Sequence, residues 1–128
     1  TINYRAELEW GEAVLEATDG HGADKIIEVG GTGTLPQSFR AIAHGGEIAL
    51  MGVLSPGDVP NPLHLMIKNA SLRGIFGGSG AMFADLGRFI DEHRIKPVIG
   101  ASFAFEDAVE AYRYQSSVKL FGKAVITI

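Results

Sequence analysis

Residues 25–33 read Lys-Ile-Ile-Glu-Val-Gly-Gly-Thr-Gly, a short β-branched run that opens into glycines 30, 31 and 33. That is the composition of a buried parallel strand emptying into a loop. Working upstream, Trp10, Ala13, Val14 and Ala17 recur at helical spacing, and Asp19-Gly20-His21-Gly22 supplies the stop. Downstream, Thr34 is placed to cap a second helix, Pro36 suits its first turn, and Leu35, Phe39, Ile42 and Ala43 form its apolar face. His44-Gly45-Gly46 is read as the end of that helix. The run 47–53, Glu-Ile-Ala-Leu-Met-Gly-Val, follows as a second strand with few polar residues, expected to be covered on both faces.

The alternation continues. After the turn-rich segment 54–60, Asn61-Pro62 starts a helix running to about Asn69, and Ser71–Phe76 reads as a third strand. The glycine pattern returns as Gly77-Gly78-Ser79-Gly80. Met82, Phe83, Leu86, Phe89 and Ile90 then mark an amphipathic helix, with His93 and Arg94 placed to complement its C-terminal dipole. Residues 98–103 are expected to be extended. Glu106–Tyr114 reads as a last helix with Ala108, Val109 and Tyr112 inward, and Lys123–Ile128 as a closing strand. Strands alternating with helices imply an α/β fold, a parallel sheet with helices on its faces.

In such sheets a ligand binds beyond the carboxyl ends of the strands. Those ends are the glycine-bearing stretches Val29–Gly33, Gly52–Leu54 and Gly77–Gly80. Any one of them is explained by a tight turn. Three in register favour a site where a flat ligand approaches the backbone with no Cβ in its way.

Composition excludes several classes of function. The chain has 128 residues, 46% hydrophobic and 20% charged, which suits a globular protein and excludes disorder. A net charge of −4 leaves no basic surplus for a phosphate backbone, so no nucleic-acid partner is expected. With no cysteine there is no disulfide framework, thiol nucleophile or Cys-ligated zinc within this chain. No apolar run approaches the ~18–20 residues of a membrane span, so no membrane partner is expected and a cytoplasmic setting is. Thr1 stands where a complete chain would carry Met, and an interior excerpt of a longer protein is the expectation.

Neither a G-x-G-x-x-G after a strand nor a G-x-x-x-x-G-K-[ST] nor a G-x-S-x-G is present, so no phosphate cradle or nucleophile elbow is encoded. His21, His44, His64 and His93 are not paired at metal-ligand spacing and read as structural or solvated. Glu28, in a buried strand, has the chemistry of a general base. A carboxylate satisfied by backbone or by a neighbouring helix is the stronger reading.

The run Gly22–Leu35 (GADKIIEVGGTGTL), the run Ser38–Val53 (SFRAIAHGGEIALMGV) and the run Ile95–Ile128 (IKPVIGASFAFEDAVEAYRYQSSVKLFGKAVITI) together resemble the C-terminal part of the medium-chain dehydrogenase/reductase superfamily. Within it the chain is most similar to zinc-type alcohol dehydrogenases and quinone oxidoreductases. The resemblance implies that residues 1–78 are the second half of a Rossmann-type dinucleotide-binding domain. Residues 79–128 would then be a helix and return segment toward a catalytic domain that this sequence lacks. Also missing, by the same resemblance, are the first strand with its phosphate-binding glycine turn and the zinc ligands.

The implied cofactor is NAD or NADP, held here by a half-site only, with zinc in the full-length zinc-type enzymes. Val29, Gly30 and Gly31, then Gly52, Val53 and Leu54, would line its nicotinamide-ribose side. Gly77 and Gly78 would follow the next strand, and Lys123 would reach toward the pyrophosphate, against the ordinary reading of a solvated lysine. The reaction implied is hydride transfer between the nicotinamide and an alcohol or carbonyl, or a quinone or enone, as small-molecule substrate. The chain alone is expected to be inactive.

The resemblance also implies a homodimer or higher oligomer through the edge strand Ser71–Phe76. Lacking its first three strands, the sheet would have a second open edge at Lys25–Val29, so a silent self-association module is the alternative. A third reading is that a partner chain, or the rest of a longer polypeptide, supplies the missing half.

Overall fold

A computed structural model describes residues 1–117 and 119–128. The chain divides into two compact units, Thr1–Gly77 and Gly78–Ile128. The first carries helix α1 (Trp10–Ala17), strand β1 (Ala23–Glu28), helix α2 (Leu35–Ala41), strand β2 (Ile42–Leu50), helix α3 (Leu63–Lys68) and strand β3 (Ser71–Gly74). The strands form one parallel sheet in the order β1-β2-β3, as the α/β pattern predicts. Ile26 is opposite Ile48, and Ile48 opposite Leu72, so the strands run in step and their carboxyl ends emerge side by side.

Leu35 and Phe39 from α2 pack on Ile42 and Ile48 from β2, with Ile26, Leu65 and Ala70 against them. Burying each of the first four side chains contributes about 1.5–3 kcal/mol. The i, i+4 spacing of Leu35 and Phe39 sets both on the sheet-facing side of the helix.

Helix α2 has no glycine cap, because the chain passes from Ala41 directly into β2. Its last carbonyls are taken by Lys68 at the end of α3, whose Nζ donates to the oxygens of Arg40 and Ile42 at 2.7 Å each. Burial, and the nearby Arg40 cation, push the Lys68 ammonium below its usual 10.5. At the periphery, the hydrogen bond from Arg40 holds the Glu12 carboxyl below its ordinary 4.5, and the one from Lys25 does the same for Glu47.

Four sequence expectations are corrected. His44-Gly45-Gly46 does not terminate a helix: Ile42 already pairs with Ala23, and the ladder resumes at Glu47 opposite Lys25, so residues 43–46 bulge out between two rungs. Thr34 precedes α2 but its hydroxyl does not cap the helix. The sheet is not covered on both faces either, since Ile27 is 65% and Val29 53% exposed. The third strand ends at Gly74, although the amide of Ile75 still donates to the oxygen of Leu50 at 2.9 Å, and Phe76 is fully exposed.

The second unit carries helix α4 (Gly80–Glu92), strand β4 (Ile99–Ala104), a 3₁₀ turn (Phe105–Asp107), helix α5 (Ala108–Gln115) and strand β5 (Lys123–Thr127). Strands β4 and β5 pair in parallel, with Ala111 of α5 buried. Ser79 caps α4 by accepting from the amide of Met82. Helix α4 forms as its periodicity predicts, yet Met82, Phe83, Leu86 and Phe89 are all exposed. His93 stacks on Phe89, and its Nδ1 hydrogen-bonds the carbonyl of that residue at 3.0 Å. No helix among the described residues is long and apolar enough to cross a membrane.

Candidate functional site

The loops that leave β1 and β2 are joined to each other. The amides of Met51 and Gly52 donate to the oxygen of Glu28 at 2.8 and 3.2 Å, which extends the β1–β2 ladder past the strand ends. Further along the same loop, Ser55 closes on the β1 loop. Its amide and its hydroxyl both donate to the oxygen of Gly30, at 2.7 and 2.9 Å, and its own oxygen accepts from the Gly33 amide at 3.2 Å.

Between these anchors the backbones approach as closely as glycine allows. Gly31 takes φ +90°, and a Cβ there would stand 2.8 Å from the Cα of Val53. At Gly52 a Cβ would meet the carbonyl oxygen of Val29 at 1.9 Å. Turn-making alone does not require two loops to be glycine at the points where they cross. Their joint effect is to let the two loops pack backbone against backbone at the carboxyl edge of the sheet, with Val29, Val53 and Leu54 left exposed around the join.

Val29, Gly30, Gly31, Gly52 and Val53 are thus brought together in the first unit, with Leu54 following them at 84% exposure. A pocket of about 560 Å³ opens beside them, reached by Val29, Gly30 and Leu54 and walled by Tyr4, Trp10 and Ile26. Its size is within the ordinary range for small-molecule sites. The other expected site residues are placed elsewhere. Gly77 is the last residue of the first unit, with φ +67°, and Gly78 the first of the second. A Cβ at Gly78 would make only ordinary contacts, with Met82 at 3.7 Å. Lys123 opens β5 opposite Ile99 in the second unit and is exposed.

Glu28 is buried at the end of β1, 4% exposed. Its Oε1 accepts from the amides of Gly30 (2.8 Å) and Gly31 (3.1 Å) and from the Thr34 hydroxyl (2.6 Å), and its Oε2 from the Ser38 hydroxyl. A carboxylate satisfied by backbone and by a neighbouring helix is therefore what the structure shows. Sequence reasoning missed Ser55, whose signal was its place just past a glycine-ended strand, directly before a proline.

The pocket beside the join, reached by the backbone of Gly30 and the apolar side chains of Val29 and Leu54, has the lining a flat, largely apolar ring requires. A zinc ion is not suited: the chain has no cysteine, and no group of three His, Asp or Glu among the described residues could hold a metal.

The profile of a family described as "Zinc-binding dehydrogenase" matches residues 1–126. A zinc-type alcohol dehydrogenase-like protein of Schizosaccharomyces pombe is 41% identical over 133 aligned residues, covering 100% of this chain and 38% of that protein. A quinone oxidoreductase-like protein 2 homolog of Nematostella vectensis is 33% identical, covering 98% of this chain and 37% of its own length. A solved structure of an NAD-dependent alcohol dehydrogenase superposes with a TM-score of 0.83 at 30% identity, covering 94% of this chain and 35% of that one. The chain thus spans well under half the length of the relatives it matches. Its parallel sheet with flanking helices matches part of a medium-chain alcohol dehydrogenase, and the chain belongs to the zinc-binding dehydrogenase family.

Proposed function

We propose that this chain forms the nicotinamide-side wall of an NAD(P) site in an oxidoreductase, and that alone it has no turnover. The observation that carries this is the pocket of about 560 Å³ at the carboxyl ends of β1 and β2, beside the point where the two strand-end loops cross at Gly31 and Gly52. In this reading Val29, Gly30, Gly31, Gly52, Val53 and Leu54 pack on the nicotinamide and its ribose. Gly77, Gly78 and Lys123 are carried into the proposal by the family resemblance alone, the last as a partner of the pyrophosphate. Likeness to an NAD-dependent alcohol dehydrogenase supports the cofactor class, with NAD and NADP both to be tested.

When bound, such a dinucleotide supplies hydride transfer at its nicotinamide, to or from an alcohol, carbonyl, quinone or enone substrate. This chain's residues orient the ring and exclude water from one face of it. The sequence contains no glycine-rich phosphate turn and no nucleophile-base pair, which is why the chain alone is proposed to be inactive. Any zinc would need ligands from outside these residues. A cytoplasmic setting is part of the same proposal.

Titration with NADH and NADPH, followed by nicotinamide fluorescence, tests the site. Saturable binding supports it, and no binding of either dinucleotide refutes it. Steady oxidation of NAD(P)H by the purified chain would disprove inactivity.

A second reading, self-association as a silent module, is favoured by the two uncovered sheet edges. Among the described residues β3 pairs only with β2, and so does β1. The edge strand proposed for a homodimer or higher oligomer is Ser71–Phe76, ordered as strand over Ser71–Gly74. Light scattering that finds a monomer at micromolar concentration would end this reading.

A further inference from the structure

Glu28 is the buried carboxylate among the described residues, and the neighbouring residues are arranged around it. Thr34 stands at the start of α2 where a hydroxyl would normally cap the helix, yet it donates to Glu28. Ser38, fully buried one turn further along α2, donates to the other carboxylate oxygen. Two helix side chains are thus committed to a carboxylate that in turn holds two backbone amides, those of Gly30 and Gly31.

The peptides of this turn are therefore held from opposite sides. The amides of Gly30 and Gly31 point at Glu28, while the oxygen of Gly30 receives both donors of Ser55. Glycine at these positions would otherwise leave the turn the most pliable part of the sheet edge. Hydrogen bonds to a charged acceptor are about twice as strong as neutral ones, so the carboxylate stiffens what the missing side chains loosen.

We infer that Glu28 is a positioning residue: its carboxylate, set by Thr34 and Ser38, presets the Gly30–Gly31 turn against which a nicotinamide dinucleotide is seated. This rests on the cofactor reading above.

The test uses the chain with Glu28→Gln and Glu28→Asp, reading amide hydrogen exchange at Gly30, Gly31 and Ile48 and affinity for NADH by fluorescence. Gln keeps the length but loses the charge, so exchange at Gly30 and Gly31 is expected to quicken about tenfold. Exchange at Ile48, in the central strand, should hold, and NADH affinity should fall by a similar factor. Asp, which still reaches the amide two residues on as in an Asx turn, should restore most of both.

Unchanged NADH affinity in Glu28→Gln overturns the inference, as does an Asp variant no better than Gln. Exchange at Ile48 rising in step with the turn also overturns it, since that is the signature of a merely structural role. If Glu28→Gln does not fold, Ser38→Ala, which removes one donor of four, carries the same two readouts. A wild-type chain that binds neither NADH nor NADPH refutes the cofactor reading and this inference with it. Binding by the wild type with an indifferent variant removes only the role of Glu28.

Discussion

Replacing Gly52 with alanine probes the join between the two strand-end loops. The added Cβ would stand 1.9 Å from the carbonyl oxygen of Val29 and 2.6 Å from its carbonyl carbon. Both are backbone atoms, so no side chain can rotate aside, and the Val29 peptide would have to retreat by about 1 Å to regain ordinary contact. It is poorly placed to do so. The preceding oxygen, of Glu28, is tied to Met51 and Gly52, and the following one, of Gly30, is tied to Ser55. Overpacking costs about 1–3 kcal/mol where neighbours can adjust, and this site belongs in the upper half, ~2–3 kcal/mol.

For a unit of this size, that is a fall in melting temperature of roughly 10–20 °C. Trp10 is the chain's one tryptophan and walls the pocket in the same unit, so its fluorescence during urea unfolding reads the first unit specifically. A loss below about 0.5 kcal/mol, the scale of an ordinary surface substitution, would show that the loops do not cross as described.

Four further outcomes are expected. Lys68→Met should destabilise the first unit by about 1–2 kcal/mol in urea unfolding, because the carbonyls of Arg40 and Ile42 lose a charged donor. Gly87→Ala, within exposed α4 where a Cβ meets nothing within 4 Å, should raise the stability of the second unit by about 0.5–1 kcal/mol, read by circular dichroism. Glu12 and Glu47 have folded pKa values below their ordinary 4.5, so the stability they contribute is present above about pH 4.5 and is lost as pH falls through the depressed values. An acid titration of the unfolding midpoint should therefore fall more steeply for wild type than for Glu12→Gln/Glu47→Gln, and less so in high salt. Ile27→Lys places a charge on the open edge strand β1 and should shift any oligomer toward monomer in light scattering without lowering the melting temperature.

The order of strands and helices was legible because strand composition and helical periodicity alternate cleanly, and glycine marked the carboxyl ends of β1, β2 and β3. Boundaries failed where tertiary contact overrode local signals. Gly45-Gly46 has the look of a helix stop, but Ile42 is drawn into the sheet by its pairing with Ala23 and its burial under α2, so the glycines become a bulge. Coverage of both faces was misjudged for a different reason: an apolar strand shows that it is meant to be buried, not which chain buries it. Glu28 was legible as a satisfied carboxylate. Its donors were not, because Thr34 and Ser38 lie six and ten residues away and meet it only through the docking angle of α2. Gly77, Gly78 and Lys123 rested on family resemblance, with no spacing of their own to single them out.

The bulge at residues 43–46 also bears on how this sheet tolerates change. His44 and Gly45 are exposed, and a Cβ at Gly45 would touch nothing within 4 Å, while the rungs on either side are fixed by Ile42 and Glu47. Extra residues added at its tip would lengthen the excursion without shifting the register of β2 or reaching the opposite, carboxyl end of the strands. It is therefore the natural splice point for a fluorescent reporter or an affinity tag, and the place where related chains can differ in length at little cost to the rest of the sheet.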